Sequence, residues 1–303
     1  MNEKAVSVFR FERRAAVTSL VVGVVLLAIK FVAYFLTGSS AIFSDALESI
    51  VNVLASIFAL FSIIVAHAPA DESHPYGHGK IEFLAAGFEG GTILLAAVII
   101  FVQAVTQLYR GTNTEQLNFG ILLIVVAMIV NAAAGLYLVA SGKQHGSFTL
   151  EADGKHLLAD AITSAGVLVA LAIVKVTHFH QADPIAAVCI AVYISFLSIG
   201  LLRRSGAGLM DQQDAGDDAM IRGILDSHVG KTGKDPRICS YHKLRHRHSG
   251  RYHWVDFHIL VPAHLNVEQG HQIASAIEYE IEQALGEGNA TAHVEPDSNS
   301  DVL

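Results

Sequence analysis

Six apolar segments, each long enough to cross a lipid bilayer, dominate the first two thirds of the chain. A membrane-spanning helix needs about 20 mostly apolar residues, and backbone N–H and C=O groups in lipid must all be paired within a helix or a closed barrel. The sequence therefore predicts an α-helical membrane protein with six transmembrane helices. The segments lie at roughly residues 16–37, 41–66, 83–108, 118–140, 154–177 and 183–203.

The positive charges between these segments favour one orientation in the membrane. Short cytoplasmic loops carry an excess of lysine and arginine. Arg110 and Lys175 fall on one side of the predicted spans, whereas a larger group falls on the other: Lys4, Arg10, Arg13, Arg14, Lys80, Lys143, Lys155, Arg203 and Arg204. With an even number of spans, this bias predicts that both termini are cytoplasmic.

The composition excludes some classes of protein. Charged residues make up 16% of the chain, against about 25% in an ordinary soluble domain. The net charge of −8, without a basic stripe, argues against a nucleic-acid partner. Two cysteines, Cys189 and Cys239, form neither a disulfide framework nor a Cys-x-x-Cys site. Most of the 16 histidines lie near residues 67–78 and 228–293, which indicates metal binding, although exposed histidines are also common in a cytoplasmic tail.

After Arg204 the chain changes from long apolar segments to the mixed apolar and polar pattern of a soluble domain. The acidic stretch at residues 211–218 has the composition of a linker. Apolar periodicity then predicts a helix, two strands, a helix and a strand. This αββαβ order indicates a small cytoplasmic α/β domain with a mixed sheet. We therefore expect a transmembrane domain at 1–207 and a C-terminal domain at 208–303, with elements at 217–229, 237–247, 252–262, 267–285 and 290–295.

Two polar stripes interrupt the second and fifth predicted spans, at spacings that place their members on one helix face. The first contains Asp45, Glu48, Ser49, Asn52 and Ser56, and the second contains His156, Asp160 and Ser164. Such residues can join helices by hydrogen bonds. Because buried charges in lipid are costly, two carboxylates and a histidine favour a divalent-metal site instead. Its four ligands would be Glu48, Asn52, His156 and Asp160.

Three motifs resemble those of the cation diffusion facilitators, a family of divalent-metal transporters. They are SDALESIVN at 44–52, HPYGHGKIE at 74–82 and KHLLAD at 155–160. The resemblance extends over nearly the whole chain and is greatest to bacterial zinc or iron proton antiporters. It implies a homodimer in the bacterial inner membrane, with a metallochaperone-like cytoplasmic tail. It also implies that Zn²⁺ or a related ion is exported while protons move inward.

The transport site departs from the family pattern at two positions. The family usually has His-x-x-x-Asp or Asp-x-x-x-Asp where this chain has Glu48-x-x-x-Asn52, whereas His156 and Asp160 match. Three oxygens and one nitrogen make a harder ligand set, which favours Mn²⁺, Fe²⁺ or Co²⁺. Zn²⁺ also tolerates carboxylates, so Zn²⁺ and Cd²⁺ stay open. Asp45, one turn before Glu48, could join or replace Asn52. Because metal and protons compete for these groups, a proton gradient could drive transport.

A loop after the second span holds Asp71, His74 and His78, which are spaced for one metal ion. The alternative is that these histidines are merely solvated. They match a cytoplasmic loop zinc site of bacterial family members. The family pattern also pairs Lys80 with Asp211.

The resemblance implies a further metal site in the tail. Positions that bind a pair of zinc ions at the family's tail dimer interface correspond to His242, His258, His271, His293 and Glu295. Glu295 stands where the family usually has aspartate. Solvated surface histidines are again the alternative, and His246, His248 and His253 are expected to be additional surface residues.

Three functions compete. The first is a proton-coupled exporter of divalent metal, which is not an enzyme. The second is a metal-responsive membrane scaffold that carries little flux, which the neutral Asn52 favours. The third is an intramembrane metalloenzyme, although the chain lacks a His-Glu-x-x-His signature. Divalent metal ions are the expected substrate and regulator, and lipid and protons are the other expected partners.

Overall fold

The structure is a computed structural model that describes residues 3–37, 40–110, 118–177, 181–230 and 232–297; the side chains of residues 36–48 lie outside the described part. Two compact units make up the chain. The first comprises residues 1–71 and 81–206, and the second comprises residues 72–80 and 207–303. Six long helices come first: α1 (Glu3–Thr37), α2 (Ser40–Ala66), α3 (Ile81–Arg110), α4 (Asn118–His145), α5 (Phe148–Thr177) and α6 (Ala182–Leu209).

The first unit is a helical membrane domain, as the sequence predicts. Among the described residues, four helical segments are long and apolar enough to span a bilayer: Ser7–Val32, Ile81–Thr106, Val125–His145 and Pro184–Leu209. They belong to α1, α3, α4 and α6. The described apolar part of α2 is shorter, at Asn52–Ala66. Helix α5 carries Glu151, Asp153, Lys155, His156 and Asp160 in its first half, which reduces its mean hydropathy. The chain is thus a multi-pass integral membrane protein.

Helices α4 and α5 form a tightly packed hairpin. A Cβ atom added to Gly154 of α5 would lie 2.7 Å from the backbone nitrogen of Val139 on α4, and one added to Gly142 would lie 2.6 Å from that of Glu151. Only glycine permits backbones to approach so closely, which is a common way of joining helices in membranes. The hairpin therefore holds the polar half of α5 firmly against α4.

Helix α5 begins at Phe148, six residues before the predicted start of the fifth span. The turn at Gly146 has a φ of 71°, a left-handed conformation that glycine adopts without strain. The carboxylate of Glu82 on α3 then accepts a hydrogen bond of 2.9 Å from the backbone N–H of Phe148. This contact pairs one of the N–H groups that a helix leaves open at its start. The prediction from hydropathy alone missed this polar first turn.

The second unit contains helices α7 (Ala215–His228) and α8 (Val267–Leu285) and strands β1 (Ser240–Ser249), β2 (Tyr252–Pro262) and β3 (Gly288–Asp297). The sheet has the order β1-β2-β3. Strand β1 is antiparallel to β2, and β3 is parallel to β2. The predicted αββαβ order and mixed sheet are confirmed, with element boundaries that differ by up to three residues. Asp214, within the predicted acidic linker, is the N-cap of α7 and accepts hydrogen bonds from two backbone N–H groups.

The two faces of this sheet have different roles. Alternate residues of β2 (Val255, Phe257, Ile259 and Val261) are buried together with Ile221 and Leu225 of α7 and Ile277 and Ile281 of α8. Side chains of a strand alternate between the two faces, so the helices cover the face that carries these four residues of β2. Asp256 and His258 point to the other face.

Candidate functional site

Helices α2 and α5 bring three of the predicted transport-site residues into direct contact. The amide Nδ2 of Asn52 donates a hydrogen bond of 2.8 Å to Oδ2 of Asp160. The amide Oδ1 of the same side chain lies 3.0 Å from Nε2 of His156. Nε2 of His156 and Oδ2 of Asp160 are 3.9 Å apart. His156 is buried, and Asn52 is half-buried.

The pattern of donors and acceptors assigns the proton on His156. Because the amide nitrogen of Asn52 donates to Asp160, its oxygen must accept, so Nε2 of His156 carries a proton. Nε2 of His156, Oδ1 of Asn52 and Oδ2 of Asp160 are also the atoms that would bind a metal ion. A metal ion bound to these atoms would replace their hydrogen bonds with coordination bonds.

Asp45 and Glu48, the remaining candidates for the transport site, lie on α2, but their side chains fall outside the described residues. Glu48 precedes Asn52 by four residues and so shares its helix face. A cavity borders the site. Besides His156 and Asp160, it is lined by apolar and hydroxyl side chains of α3, α5 and α6, including Ile93, Ala97, Thr163 and Ile194.

Glu89 of α3 is a neighbour of the site to which the sequence alone assigned no role. Its Oε2 atom lies 3.5 Å from Nδ1 of His156, and the residue is 1% exposed. Neither carboxylate oxygen has a hydrogen-bond partner within the described part of the chain. The signal that identified Glu48, a carboxylate within an apolar span, applies equally to Glu89. Only the packing of α3 against α5 shows that it belongs to this site.

The loop after α2 gathers the three predicted loop residues. One donor atom each of Asp71, His74 and His78 lies within 4.8 Å of the others, and the rings of His74 and His78 have centroids 4.4 Å apart. Asp71 and His74 are exposed, and His78 is half-buried. The turn at Gly77, with a φ of 78°, brings the two rings together. Two imidazoles and a carboxylate form a common ligand set for zinc.

Lys80 and Asp211, the predicted ion pair, are in contact within the second unit. Their Nζ and Oδ1 atoms are 2.8 Å apart. Burial by itself would raise the pKa of Asp211, but the hydrogen bond and charge of Lys80, aided by Arg247, lower that pKa below its ordinary value. The guanidinium of Arg247 also lies over the ring of Tyr76, 4.3 Å from its centroid. These contacts hold residues 72–80 against the β1–β2 hairpin.

Strand register explains how the tail residues converge. His242 of β1 is the register partner of His258 on β2, and His258 is the partner of His293 on β3. The three histidines therefore form one row across the sheet, on the face that the helices leave uncovered. Glu295 lies two residues after His293 and so points to the same face.

Glu295 joins His242 and His258 of this row into a cluster. Its Oε1 atom lies 2.7 Å from Nδ1 of His258, and its Oε2 atom lies 3.3 Å from Nε2 of His242. The hydrogen bond from His258 is the main cause that lowers the pKa of Glu295. Donor atoms of His242, His258 and Glu295 lie within 4.8 Å of one another.

The other two predicted tail residues lie farther out. Nε2 of His293 is 3.7 Å from Oε1 of Glu295, and its side chain is 65% exposed. His271 is exposed on α8, where it is available to a second chain. The described contacts thus form a compact set of three residues with His293 at its margin.

Comparison with known proteins gives matches along most of the chain. Residues 16–210 match the profile of the cation efflux transmembrane domain, and residues 231–297 match that of the cytoplasmic domain of cation efflux proteins. An uncharacterized transporter of Synechocystis is 35% identical over 95% of this chain and 91% of its own. The cation-efflux pump FieF of Shewanella oneidensis is 29% identical over 93% of each chain. Among solved structures, that of CzrB, described as a candidate zinc transporter, is 27% identical and covers 28% of this chain and 99% of its own, with a TM-score of 0.26.

Proposed function

The chain belongs to the cation efflux family, and on that premise we propose that it exports a divalent metal ion in exchange for protons. The observation that carries this proposal is the contact of Asn52, His156 and Asp160 between α2 and α5. Polar groups within a membrane domain are retained mainly where an ion or a proton must be handled. Glu48 supplies the fourth ligand of the proposed site, with Asp45 as its alternative.

Proton coupling follows from the chemistry of the ligands. To bind a metal, Nε2 of His156 must present a lone pair, so its proton either leaves or moves to Nδ1. Nδ1 faces the carboxylate of Glu89 at 3.5 Å, which would accept that proton in a hydrogen bond and hold the ring in place. Glu89 would therefore act as a positioning residue, because carboxylates commonly orient histidine ligands in this way. Protons arriving from the opposite side would compete with the metal for the same groups and promote its release.

The ligand set leaves several metals as candidate substrates. Two carboxylates would offset the charge of a divalent ion, and a site with three oxygens and one nitrogen favours Fe²⁺, Mn²⁺ or Co²⁺ more than a site rich in histidine does. Zn²⁺ and Cd²⁺ stay candidates as well, because zinc also accepts carboxylate ligands. We propose Zn²⁺, Fe²⁺, Mn²⁺, Co²⁺ and Cd²⁺ as the ions to test.

The remaining sites support regulation by the transported metal. We place the transport domain at residues 1–207 and the regulatory domain at 208–303, in a homodimer of the bacterial inner membrane with six spans and cytoplasmic termini. The cluster of His242, His258 and Glu295 lies on the uncovered face of the tail sheet, where a second chain can contribute His271. The loop of Asp71, His74 and His78 would bind a further metal ion.

A metal-responsive scaffold with little flux is the second candidate. Asn52 favours it, because a neutral amide that bonds both His156 and Asp160 stabilises the contact between α2 and α5 without metal. An intramembrane metalloenzyme lacks a comparable supporting observation in the described residues.

Transport by the reconstituted protein separates these candidates. Purified chain in lipid vesicles would be tested for uptake of each of the five ions under an imposed pH gradient. Asp160→Asn keeps the shape of the side chain and removes its charge, and we expect it to abolish flux. Thr106→Ala is the control, since among the described residues the Thr106 hydroxyl donates only to its own helix, at the carbonyl of Val102.

Flux that is unaffected by Asp160→Asn would refute the assignment of the site. A flux that does not depend on the pH gradient would refute proton exchange. The absence of flux for all five ions, with metal binding retained, would support the scaffold.

A further inference from the structure

Three residues at the other end of the tail sheet form a cluster to which the family resemblance assigns nothing. Both His248 Nε2 and His253 Nδ1 approach Oδ2 of Asp217, at 2.8 Å and 3.0 Å. The centroids of the two imidazole rings are 4.4 Å apart. Donor atoms of all three residues lie within 4.8 Å of one another.

Local structure dictates this convergence. His248 and His253 are direct register partners in the β1–β2 hairpin, and Asp217 lies in the first turn of α7. His253 shares a strand face with Val255 and Phe257, so the cluster lies on the face covered by the helices. The cluster of His242, His258 and Glu295 lies on the opposite face. The two clusters are therefore separate sites.

Two buried atoms lie beside the cluster, Nε2 of His246 and Oδ1 of Asp218, whose other oxygen accepts a hydrogen bond from Arg222. Nε2 of His246 lies 3.9 Å from Oδ1 of Asp218, and the His246 side chain is 3% exposed. Within the described part of the chain, neither of these atoms has a hydrogen-bond partner, and Nε2 of His248 also makes no hydrogen bond of normal geometry despite its short contact with Asp217. The expectation that these histidines are surface residues is thus wrong for His246, because α7 packs over this face of the sheet. Unsatisfied buried polar atoms are rare and call for an explanation such as an ion.

We propose that Asp217, His248 and His253 bind a divalent metal ion such as Zn²⁺, with His246 as the nearest candidate for a fourth ligand. Ligands at about 2.0–2.1 Å from a tetrahedral zinc ion are separated by somewhat more than the contacts seen here, so small side-chain movements would admit the ion. His248 is 27% exposed and Asp217 is 18% exposed, which leaves a path from solvent. The ion would join the start of α7 to the β1–β2 hairpin.

Zinc binding by the full-length protein in detergent tests this proposal independently of transport. The background variant would be His242→Ala/His258→Ala, which weakens the site on the opposite face. Asp217→Asn and His248→Gln would be added separately, because both preserve side-chain size. His264→Ala, in an exposed turn position, is the matched control. Bound zinc would be measured by equilibrium dialysis and elemental analysis, and folding by the thermal unfolding of each variant without added metal.

We expect the background variant and the His264→Ala control each to bind one equivalent of zinc in the tail. Asp217→Asn and His248→Gln should lower the affinity for this zinc ion by at least about tenfold, since even the loss of a ligand's supporting hydrogen bond costs 10–100-fold. Added zinc should also raise the unfolding temperature of the background variant more than that of Asp217→Asn. Equal zinc affinity and equal stabilisation in all four proteins would overturn the proposal. If one substitution prevents folding, the other decides the outcome.

Discussion

The amide nitrogen of Asn52 donates a hydrogen bond of 2.8 Å to the carboxylate of Asp160, across the interface of α2 and α5. An aspartate at position 52, as the family usually has, could not make this bond unless one of the two carboxyl groups were protonated. The neutral amide thus joins the two helices, and it makes the proposed site one unit less negative than an aspartate at position 52 would.

Asn52→Asp should therefore tighten zinc binding at the transport site. An added anionic ligand favours a divalent ion, and we expect an increase in affinity of about tenfold, or about 1.4 kcal/mol. The measurement is the half-saturating concentration of Zn²⁺ and of Mn²⁺ for transport in vesicles. Asn52→Leu has a similar volume and no ligand atom, so it should weaken binding of both ions. Unchanged half-saturating concentrations of both ions in Asn52→Asp would show that position 52 does not contact the metal.

Gly154→Ala should loosen the α4–α5 hairpin. The added Cβ would lie 2.7 Å from the backbone nitrogen of Val139, so the helices must move apart, at a cost of about 1–3 kcal/mol. Thermal unfolding in detergent measures this loss. Gly200→Ala in α6 is the control, because a Cβ there meets no atom within 4 Å. If both variants unfold at the wild-type temperature, the close approach of the two helices is not present in solution.

Lys80→Ala should release residues 72–80 from the tail hairpin. Both side chains of the Lys80–Asp211 pair are more than one third exposed, at 39% and 36%, so the pair contributes less than about 1 kcal/mol. Hydrogen exchange of residues 72–80 should become faster by up to about fivefold. Lys234→Ala, which removes another exposed lysine paired with Glu280, should leave this exchange rate unchanged.

The same contact predicts a pH dependence. Because the pKa of Asp211 is lowered in the folded protein, its stabilising effect is complete above the unfolded value of about 3.9 and is lost as pH falls through the lower folded value. The difference in exchange rate between wild type and Lys80→Ala should therefore disappear in strong acid. A difference that persisted after Asp211 was protonated would point to another contact of Lys80.

His258→Ala should weaken the tail site more than His293→Ala. His258 lies 2.7 Å from Glu295, whereas His293 lies 3.7 Å from it and is 65% exposed. We expect a loss of zinc affinity of at least about tenfold for His258→Ala and a smaller loss for His293→Ala, measured by dialysis of the full-length protein. The reverse order would mean that the ion lies nearer to His293 and requires the second chain.

Several features could be read from the sequence because they depend on local patterns. The six long helices follow from long, mostly apolar stretches, and the tail order follows from alternation in YHWVDFHILVP and helical spacing after residue 266. The loop residues Asp71, His74 and His78 are close in sequence and so close in space. Other features depend on packing. The polar start of α5 depends on Glu82 of α3, and the place of Glu89 beside His156 depends on the contact of α3 with α5.

The sequence by itself determined the kind of molecule, because long apolar segments require membrane helices. It also identified Asn52, His156 and Asp160 as polar residues that are energetically costly to place in such helices. Tertiary structure decided which atoms meet. It placed Asn52 between His156 and Asp160, aligned His242, His258 and His293 through strand register, and buried His246 beside an unforeseen cluster. The physical reason is that the cost of a polar residue in lipid and the periodicity of a helix or strand depend on neighbouring residues in sequence. A ligand site depends on contacts between elements that are distant in sequence.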